Sequence, residues 1–93
     1  MVVEVKHKQG DGWKPLSGYY AGKLDTAIPG AAEAVTYACE HEAKLEMRIC
    51  EEYGNTMVLV YPDKHQIVVI GNEDTDDEFV ELDLMYRVIG LDD

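Results

Sequence analysis

The residues with the most evident chemical potential are carboxylates, concentrated in one short stretch of the chain. Seven acids fall within 11 residues and no lysine or arginine lies among them: Glu73, Asp74, Asp76, Asp77, Glu78, Glu81 and Asp83. Carboxylates at this density repel one another, so the stretch is easier to explain if a basic partner relieves the repulsion. The alternative is a solvated loop that keeps the protein soluble. We take the stretch as a candidate partner-binding surface.

The alternate spacing of these acids also raises the question of calcium. An EF-hand loop begins with oxygen ligands at alternate positions, and here such positions hold Asn72, Asp74, Asp76 and Glu78. Asp77 stands where that loop requires glycine, and Asp83 stands where it requires glutamate. The flanking segments do not have a helical pattern either. The sequence therefore does not predict a calcium site.

Cysteine and histidine are too scattered to predict a transition-metal site. Cys39 and His41 are one residue apart on a predicted helix, so they point to different faces. The other candidates match no zinc spacing; they are His7, Cys50 and His65. Two cysteines also fall far short of a disulfide-stapled scaffold, so we expect both to be reduced. We predict no metal and no cofactor.

Nucleophilic catalysis finds equally little support. The hydroxyls and thiols lack a nucleophile elbow, a glycine-rich cradle or a paired general base in any recognisable motif. The run Gly10-Asp11-Gly12 does not stand between a strand and a helix as a phosphate loop does. We predict that the protein is not an enzyme.

Three aromatic residues lie in the lysine-bearing first quarter of the chain, at Trp13, Tyr19 and Tyr20. Exposed tryptophan and tyrosine recur at binding hot spots, so these residues are candidate partner contacts. The alternative is that they anchor a loop onto the core. Bases also stack on such rings, but the charge of the chain argues against nucleic acid.

That charge is strongly negative and unevenly spread. The 93 residues carry a net charge of -11, of which residues 1–24 contribute +2 and the remainder -13. A field of this sign repels nucleic acid and anionic membranes and attracts basic molecules. We therefore expect a basic protein partner and no direct contact with nucleic acid.

Hydropathy indicates one globular domain over residues 1–93. The apolar fraction of 46% is ordinary for a folded protein. No apolar run approaches the roughly 20 residues that cross a bilayer, and residues 1–8 alternate valine with charged side chains where a signal peptide would be apolar. The expectation is a cytoplasmic protein without membrane association.

Strands are predicted wherever apolar residues alternate or run together. Alternation marks residues 2–8, 45–50 and 79–89 as half-buried strands, although residues 43–52 contain many good helix formers. Residues 56–61 and 67–70 are almost continuously apolar, so they are predicted as central strands buried on both faces, with a turn at residues 62–64. A weaker strand is predicted at residues 16–24, where Gly18 and Gly22 interrupt it, and a hairpin loop at residues 53–55.

One main helix is predicted between Asp25 and Glu42. Asp25 or Thr26 can accept hydrogen bonds from the free amides at a helix start, and Pro29 suits the first turn. Apolar residues then recur at helical spacing at Ile28, Ala31 or Ala32, Val35, and Ala38 or Cys39.

Together these elements predict an α+β fold, an antiparallel sheet of five or six strands packed against one main α-helix. One helix covers one face of a small sheet, whereas the central strands are apolar on both faces. Curling of the sheet or pairing with another subunit would cover the second face. A homodimer through the open sheet face is accordingly an alternative to a foreign partner.

In composition the chain resembles the small acidic inhibitors and nucleic-acid mimics made by phages and other mobile elements. That resemblance implies carboxylates placed where a target expects phosphates. Residues 73–83 would supply them together with Glu46, Glu51 and Glu52. The function expected from the sequence is a small acidic protein-binding module, an inhibitor or adaptor that masks a basic surface of another protein. The alternative is a self-assembling structural subunit.

Overall fold

The computed structural model describes residues 2–10, 12–51, 54–71 and 81–90. Their elements are β1 Val2–His7, β2 Lys14–Pro15, α1 Tyr19–Ala27, α2 Ala31–Glu40, β3 Leu45–Glu51, β4 Gly54–Tyr61, the short 3-10 turn Pro62–Lys64, β5 Gln66–Ile70 and β6 Glu81–Ile89. All strand pairs are antiparallel and form one sheet in the order β2-β1-β6-β5-β4-β3. The α+β class and the antiparallel sheet of five or six strands are confirmed, and the described residues form two helices where the sequence predicted one main helix.

The first helix occupies a segment that was predicted as a strand. Leu16, Tyr20, Leu24 and Ile28 recur at every fourth residue and are all buried. This spacing is that of one face of a helix. Gly18 precedes α1 with a positive φ of 57°, which glycine adopts without strain. The glycine that suggested an interrupted strand is therefore the residue at which the helix starts.

Pro29 separates the two helices instead of opening the second one. The residue before a proline is sterically pushed out of the helical region, and Ile28 is accordingly extended, with a φ of -139°. Gly30 follows in the left-handed conformation with a φ of 81° and precedes α2. The predicted place of Pro29 in the first helical turn is wrong, and the predicted helix is divided at this point.

Both helices pack on one face of the sheet. The fully buried strand residues are Val5, Val58, Val60, Ile67, Val69 and Leu84, and they meet Leu24 of α1 and Val35 and Cys39 of α2 in one cluster. Within β4 and β5 the intervening Met57, Leu59, Tyr61 and Val68 are only half-buried. The prediction that these strands are buried on both faces is therefore wrong, because all the described helical cover lies on one face.

The turns between the strands lie close to the positions predicted from the sequence. The predicted turn at residues 62–64 is the 3-10 turn, which ends at His65 in a left-handed conformation with a φ of 50°. Gly54 and Asn55 belong to β4, so the predicted hairpin loop does not include them; Tyr53, its remaining residue, lies outside the described residues. No helix in the described ranges combines the length and apolarity needed to cross a bilayer.

Candidate functional site

The face of the sheet turned away from α1 and α2 carries a patch of large apolar side chains. Successive strand residues point to opposite faces, so the neighbours of the buried core residues share this second face. We call it the open face and define it by Met57, Leu59, Tyr61, Val68, Ile70 and Met85. Five of the six are half-buried and Ile70 is 38% exposed.

The strand register places two predicted site residues at the borders of the open face. Glu46 lies opposite Leu59, Leu59 opposite Val68, and Val68 opposite Asp83. Directly opposed residues of antiparallel strands stand side by side on the same face. One row of side chains therefore crosses β3, β4, β5 and β6. It has a carboxylate at each end, from Glu46 and Asp83, and two apolar side chains between them.

Both of these carboxylates contact a cation of the same chain. Arg48 Nη2 lies 2.9 Å from Glu46 Oε1 and 3.7 Å from the sulfur of Met57. Asp83 Oδ1 accepts a hydrogen bond from Gln66 Nε2, and its Oδ2 lies 3.7 Å from Lys8 Nζ. The charged border of the open face thus consists of pairs and is not a purely acidic array.

Trp13 stands at one corner of the open face, over two basic side chains. The guanidinium carbon of Arg87 lies 4.5 Å from the centre of the Trp13 ring, and Lys6 Nζ lies 5.2 Å from it. Arg87 also donates a 2.8 Å hydrogen bond to Glu4, its cross-strand neighbour. Cation–π contacts of this kind hold an aromatic ring against the sheet, so Trp13 borders the candidate surface.

The other two aromatic candidates lie apart from the Trp13 contacts, and their rings meet each other edge-on with centroids 5.4 Å apart. Tyr20 is 8% exposed and belongs to the core, where its ring meets His7 edge-on. Tyr19 is 69% exposed at the start of α1, with Lys23 Nζ 5.5 Å from its ring. Anchoring to the core therefore describes Tyr20, while Tyr19 stays available on the helical side.

Most of the acidic stretch falls outside the described residues, namely Glu73, Asp74, Asp76, Asp77 and Glu78. Glu52 also lies outside them. The structure places the backbone of Glu51 at the end of β3 and that of Glu81 at the start of β6. The described residues hold all eight Lys and Arg and ten of the 19 Asp and Glu, a net charge of -2. The other nine acids, and thus -9 of the -11, lie in the remaining residues.

The cysteine and histidine on α2 diverge, as the sequence predicts. The Cys39 thiol is fully buried and free, and burial raises its pKa from the ordinary 9.0 to about 12, with a smaller contribution from Glu40. His41 is exposed and its ring stacks on Tyr37 at 4.0 Å. Within the described ranges no group of three or more His, Cys, Asp or Glu side chains is arranged to hold a metal ion.

The apolar members of the open face were not predicted as site residues. Their signal was the continuous apolar character of β4 and β5, which was interpreted as burial on both faces. The basic residues Arg48 and Arg87 were not predicted as site residues either, although they alternate with acids along β3 and β6 and mark a charged border.

No known protein family matches the chain, and no significant similarity links it to a curated protein or a solved structure.

Proposed function

We propose that the protein is a small binding module whose docking surface is the open face. The observation that carries this proposal is the apolar row of Leu59 and Val68, which is only half-buried, whereas their strand neighbours Val58 and Val69 on the helical face are fully buried. Contiguous apolar surface with a polar border is the usual composition of a protein–protein interface. The partner is accordingly a protein with a complementary apolar patch.

The charge distribution supports a partner that is basic around that patch. The chain leaves β5 at Gly71 and enters β6 at Glu81, whose cross-strand neighbour Ile70 belongs to the open face. The acids at positions 73–78 are therefore joined covalently to one end of the docking surface. Negative charge beside an apolar patch steers a basic partner towards it and makes association sensitive to salt. The protein would act as an inhibitor or adaptor by occupying a basic surface.

The polar groups around the open face are arranged as the border of a docking surface. Glu46, Glu4 and Asp83 each have a cation of the same chain within 4 Å, with distances of 2.9, 2.8 and 3.7 Å. An apolar centre with a paired polar border is the usual composition of a protein–protein interface. This arrangement favours a binding module over an enzyme.

The test is an affinity capture with four immobilised proteins, washed at low and at high salt. They are the wild type, Val68→Lys on the open face, Tyr19→Ser as an exposed control on the helical side, and a variant with Asp74, Asp76 and Asp77 changed to Asn and Glu78 to Gln. We expect one stoichiometric basic protein on the wild type and on Tyr19→Ser, lost from Val68→Lys and weakened on the neutralised variant.

Thermal melts by circular dichroism establish first that each variant is folded. A partner that binds Val68→Lys as well as the wild type would contradict docking at the open face. A partner retained equally by the neutralised variant at both salt concentrations would remove the acids from the mechanism.

A further inference from the structure

The two edges of the sheet differ in how well they are protected from pairing with another strand. One edge is β2, which is two residues long and contains Pro15. Shortness and proline both block edge-to-edge association. The other edge is β3, which is seven residues long, contains no proline and pairs with β4 in an unbroken register. No described element pairs with its outer side.

We propose that β3 pairs antiparallel with β3 of a second copy, in a two-fold dimer centred on Met47. A two-fold axis perpendicular to the sheet makes the interface self-complementary and extends the sheet through both molecules. It also keeps both helical layers on one side, so opposed residues must belong to the same face. The axis must therefore lie between the two β3 strands, midway between one residue and its own equivalent in the second copy.

The charges on β3 select Met47 among the central positions. With the axis at Met47, Glu46 lies opposite Arg48 of the second copy, and Arg48 lies opposite Glu46 of the second copy. With the axis one residue earlier or later, two Glu46 or two Arg48 side chains face each other. Directly opposed charges stabilise a strand pair when they are opposite and destabilise it when they are alike.

The local geometry already supports this arrangement. Arg48 and Glu46 form an ion pair within one chain, with both side chains 51% exposed. In the dimer the two pairs join into one row of alternating charge on the side of the open face. Four charges in such a network are stabilised more than two isolated pairs.

On the helical side the same register brings apolar residues together. Leu45 lies opposite Ile49 of the second copy and Met47 lies opposite its own equivalent, and all three are half-buried in the single chain. Beside this edge runs a groove between α2 and β3, lined by Ala34, Tyr37, Ala38 and Leu45. Tyr37 is 62% exposed there. The two-fold axis places both grooves on the same side of the extended sheet, where each faces the other.

This dimer goes beyond the proposed function and does not depend on it. It uses the edge of the sheet and leaves the open face uncovered. Because the axis is perpendicular to the sheet, the two open faces point in the same direction. A dimer would therefore present two docking surfaces side by side, which strengthens binding to a partner that offers two sites.

The test is the mass in solution, measured by sedimentation equilibrium across a concentration series. We expect the wild type to approach twice the 10.5 kDa of the chain. Glu46→Arg alone and Arg48→Glu alone each oppose like charges and should weaken dimerisation roughly tenfold or more. An equimolar mixture of the two variants, and the double variant that exchanges both charges, should recover the affinity of the wild type. Lys64→Glu, an exposed change in the 3-10 turn, is the matched control and should dimerise normally.

Two outcomes would overturn the proposal. One is a wild type that stays at 10.5 kDa at millimolar concentration. The other is a dimer that both single variants form as well as the wild type, since pairing would then occur elsewhere. Circular dichroism confirms that the variants are folded, and Val68→Lys separates this result from the proposed function because it should leave the mass unchanged.

Discussion

Asp25 Oδ1, on α1, accepts a hydrogen bond of 3.0 Å from the backbone amide of Ala32 in the first turn of α2. The first amides of a helix have no partner within the helix, and the residue that precedes α2 is Gly30, which has no side chain to offer. Asp25 therefore caps a helix that begins six residues later. The sequence predicted that Asp25 or Thr26 opens the main helix; both lie inside α1 instead, and Asp25 accepts from an amide of the next helix.

Replacing Asp25 should loosen the junction between the helices. Asp25→Ala is expected to lower the free energy of unfolding by about 1 kcal/mol, the usual contribution of a capping side chain. Asp25→Asn keeps an acceptor oxygen and should lose less. Urea denaturation followed by circular dichroism measures both. Thr26→Ala is the control, because the Thr26 hydroxyl donates to Gly22 within an exposed turn of α1. Equal losses for Asp25→Ala and Thr26→Ala would contradict the capping role.

Two neighbouring valines of β5 test which face of the sheet is the core. Val69 is fully buried on the helical side, whereas Val68 is half-buried on the open face. Val69→Ala should lower the free energy of unfolding by about 2 kcal/mol, since it removes buried methyl groups and leaves a cavity. Val68→Ala should cost less than about 1 kcal/mol. Comparable losses in urea denaturation would mean that the open face is covered in solution by another part of the protein or by another molecule.

Tyr86 holds a polar atom in the core without a partner. Its hydroxyl is inaccessible to solvent and has no hydrogen-bond partner among the described residues. An unsatisfied buried hydroxyl costs about 1–3 kcal/mol of stability. Tyr86→Phe keeps the ring and removes this penalty, so we expect the free energy of unfolding to rise by about 1 kcal/mol. Thermal melts and urea denaturation would show the increase, and a loss of stability would indicate that the hydroxyl is bonded in solution.

The buried Cys39 thiol should make the protein sensitive to alkali. Burial raises its pKa from the ordinary 9.0 to about 12, so between these values the thiol ionises in the unfolded chain and stays protonated in the folded one. The contribution of this group is fully present below pH 9 and is lost as the pH rises towards 12. Well above pH 9 the free energy of unfolding should fall by about 1.4 kcal/mol per pH unit because of this one group.

Cys39→Ala isolates that contribution from other titrations. The variant is less stable at neutral pH because a buried group is removed, but its stability should decline less steeply above pH 9 than that of the wild type. Cys50→Ala provides the comparison for the second thiol. Parallel declines in the wild type and Cys39→Ala would contradict the raised pKa. Tyr86 adds to the same trend, because burial, followed by Cys39, Glu42 and Asp63, raises its pKa to about 12.

The strands could be predicted because their side chains obey a period of two. Leu45, Met47 and Ile49 point to the helices and alternate with Glu46 and Arg48, and no helical arrangement gathers them on one side. Periodicity therefore outweighed the helix-forming composition of this segment. Burial on two faces could not be distinguished from burial on one, because both central strands are apolar throughout and only packing decides which face the helices cover.

The first helix could not be predicted because a glycine is found both where a strand is interrupted and where a helix begins. Gly18 and Gly22 suggested an interrupted strand, whereas Gly18 precedes α1 and Gly22 lies within it on the exposed side. The spacing of four between Tyr20 and Leu24, the buried residues of α1, was the stronger signal. It outweighs the propensity of a glycine wherever the apolar residues find a core to pack against.

The sequence pointed to carboxylates of the candidate surface, but not to the cations that pair with them or to the apolar face that they border. Glu46 and Asp83 do border one surface, but their contacts with Arg48 and Lys8 depend on strand register. A register between β5 and β6 is not encoded in the spacing of either strand alone. The register follows from the packing of the whole sheet. It in turn determines the position of every side chain on the open face.

Val2 pairs with Ile89, so two residues that are far apart in the sequence are direct neighbours in the sheet. In the sheet β6 lies between β1 and β5, so it joins the β1–β2 pair to the β5–β4–β3 meander. During synthesis the meander strands can meet their sequence neighbours early, whereas β1 must wait until residues 81–89 have left the ribosome. Until that moment β1 has only β2 to pair with, and the β1–β2 pair has no hydrogen-bonded connection to the rest of the sheet.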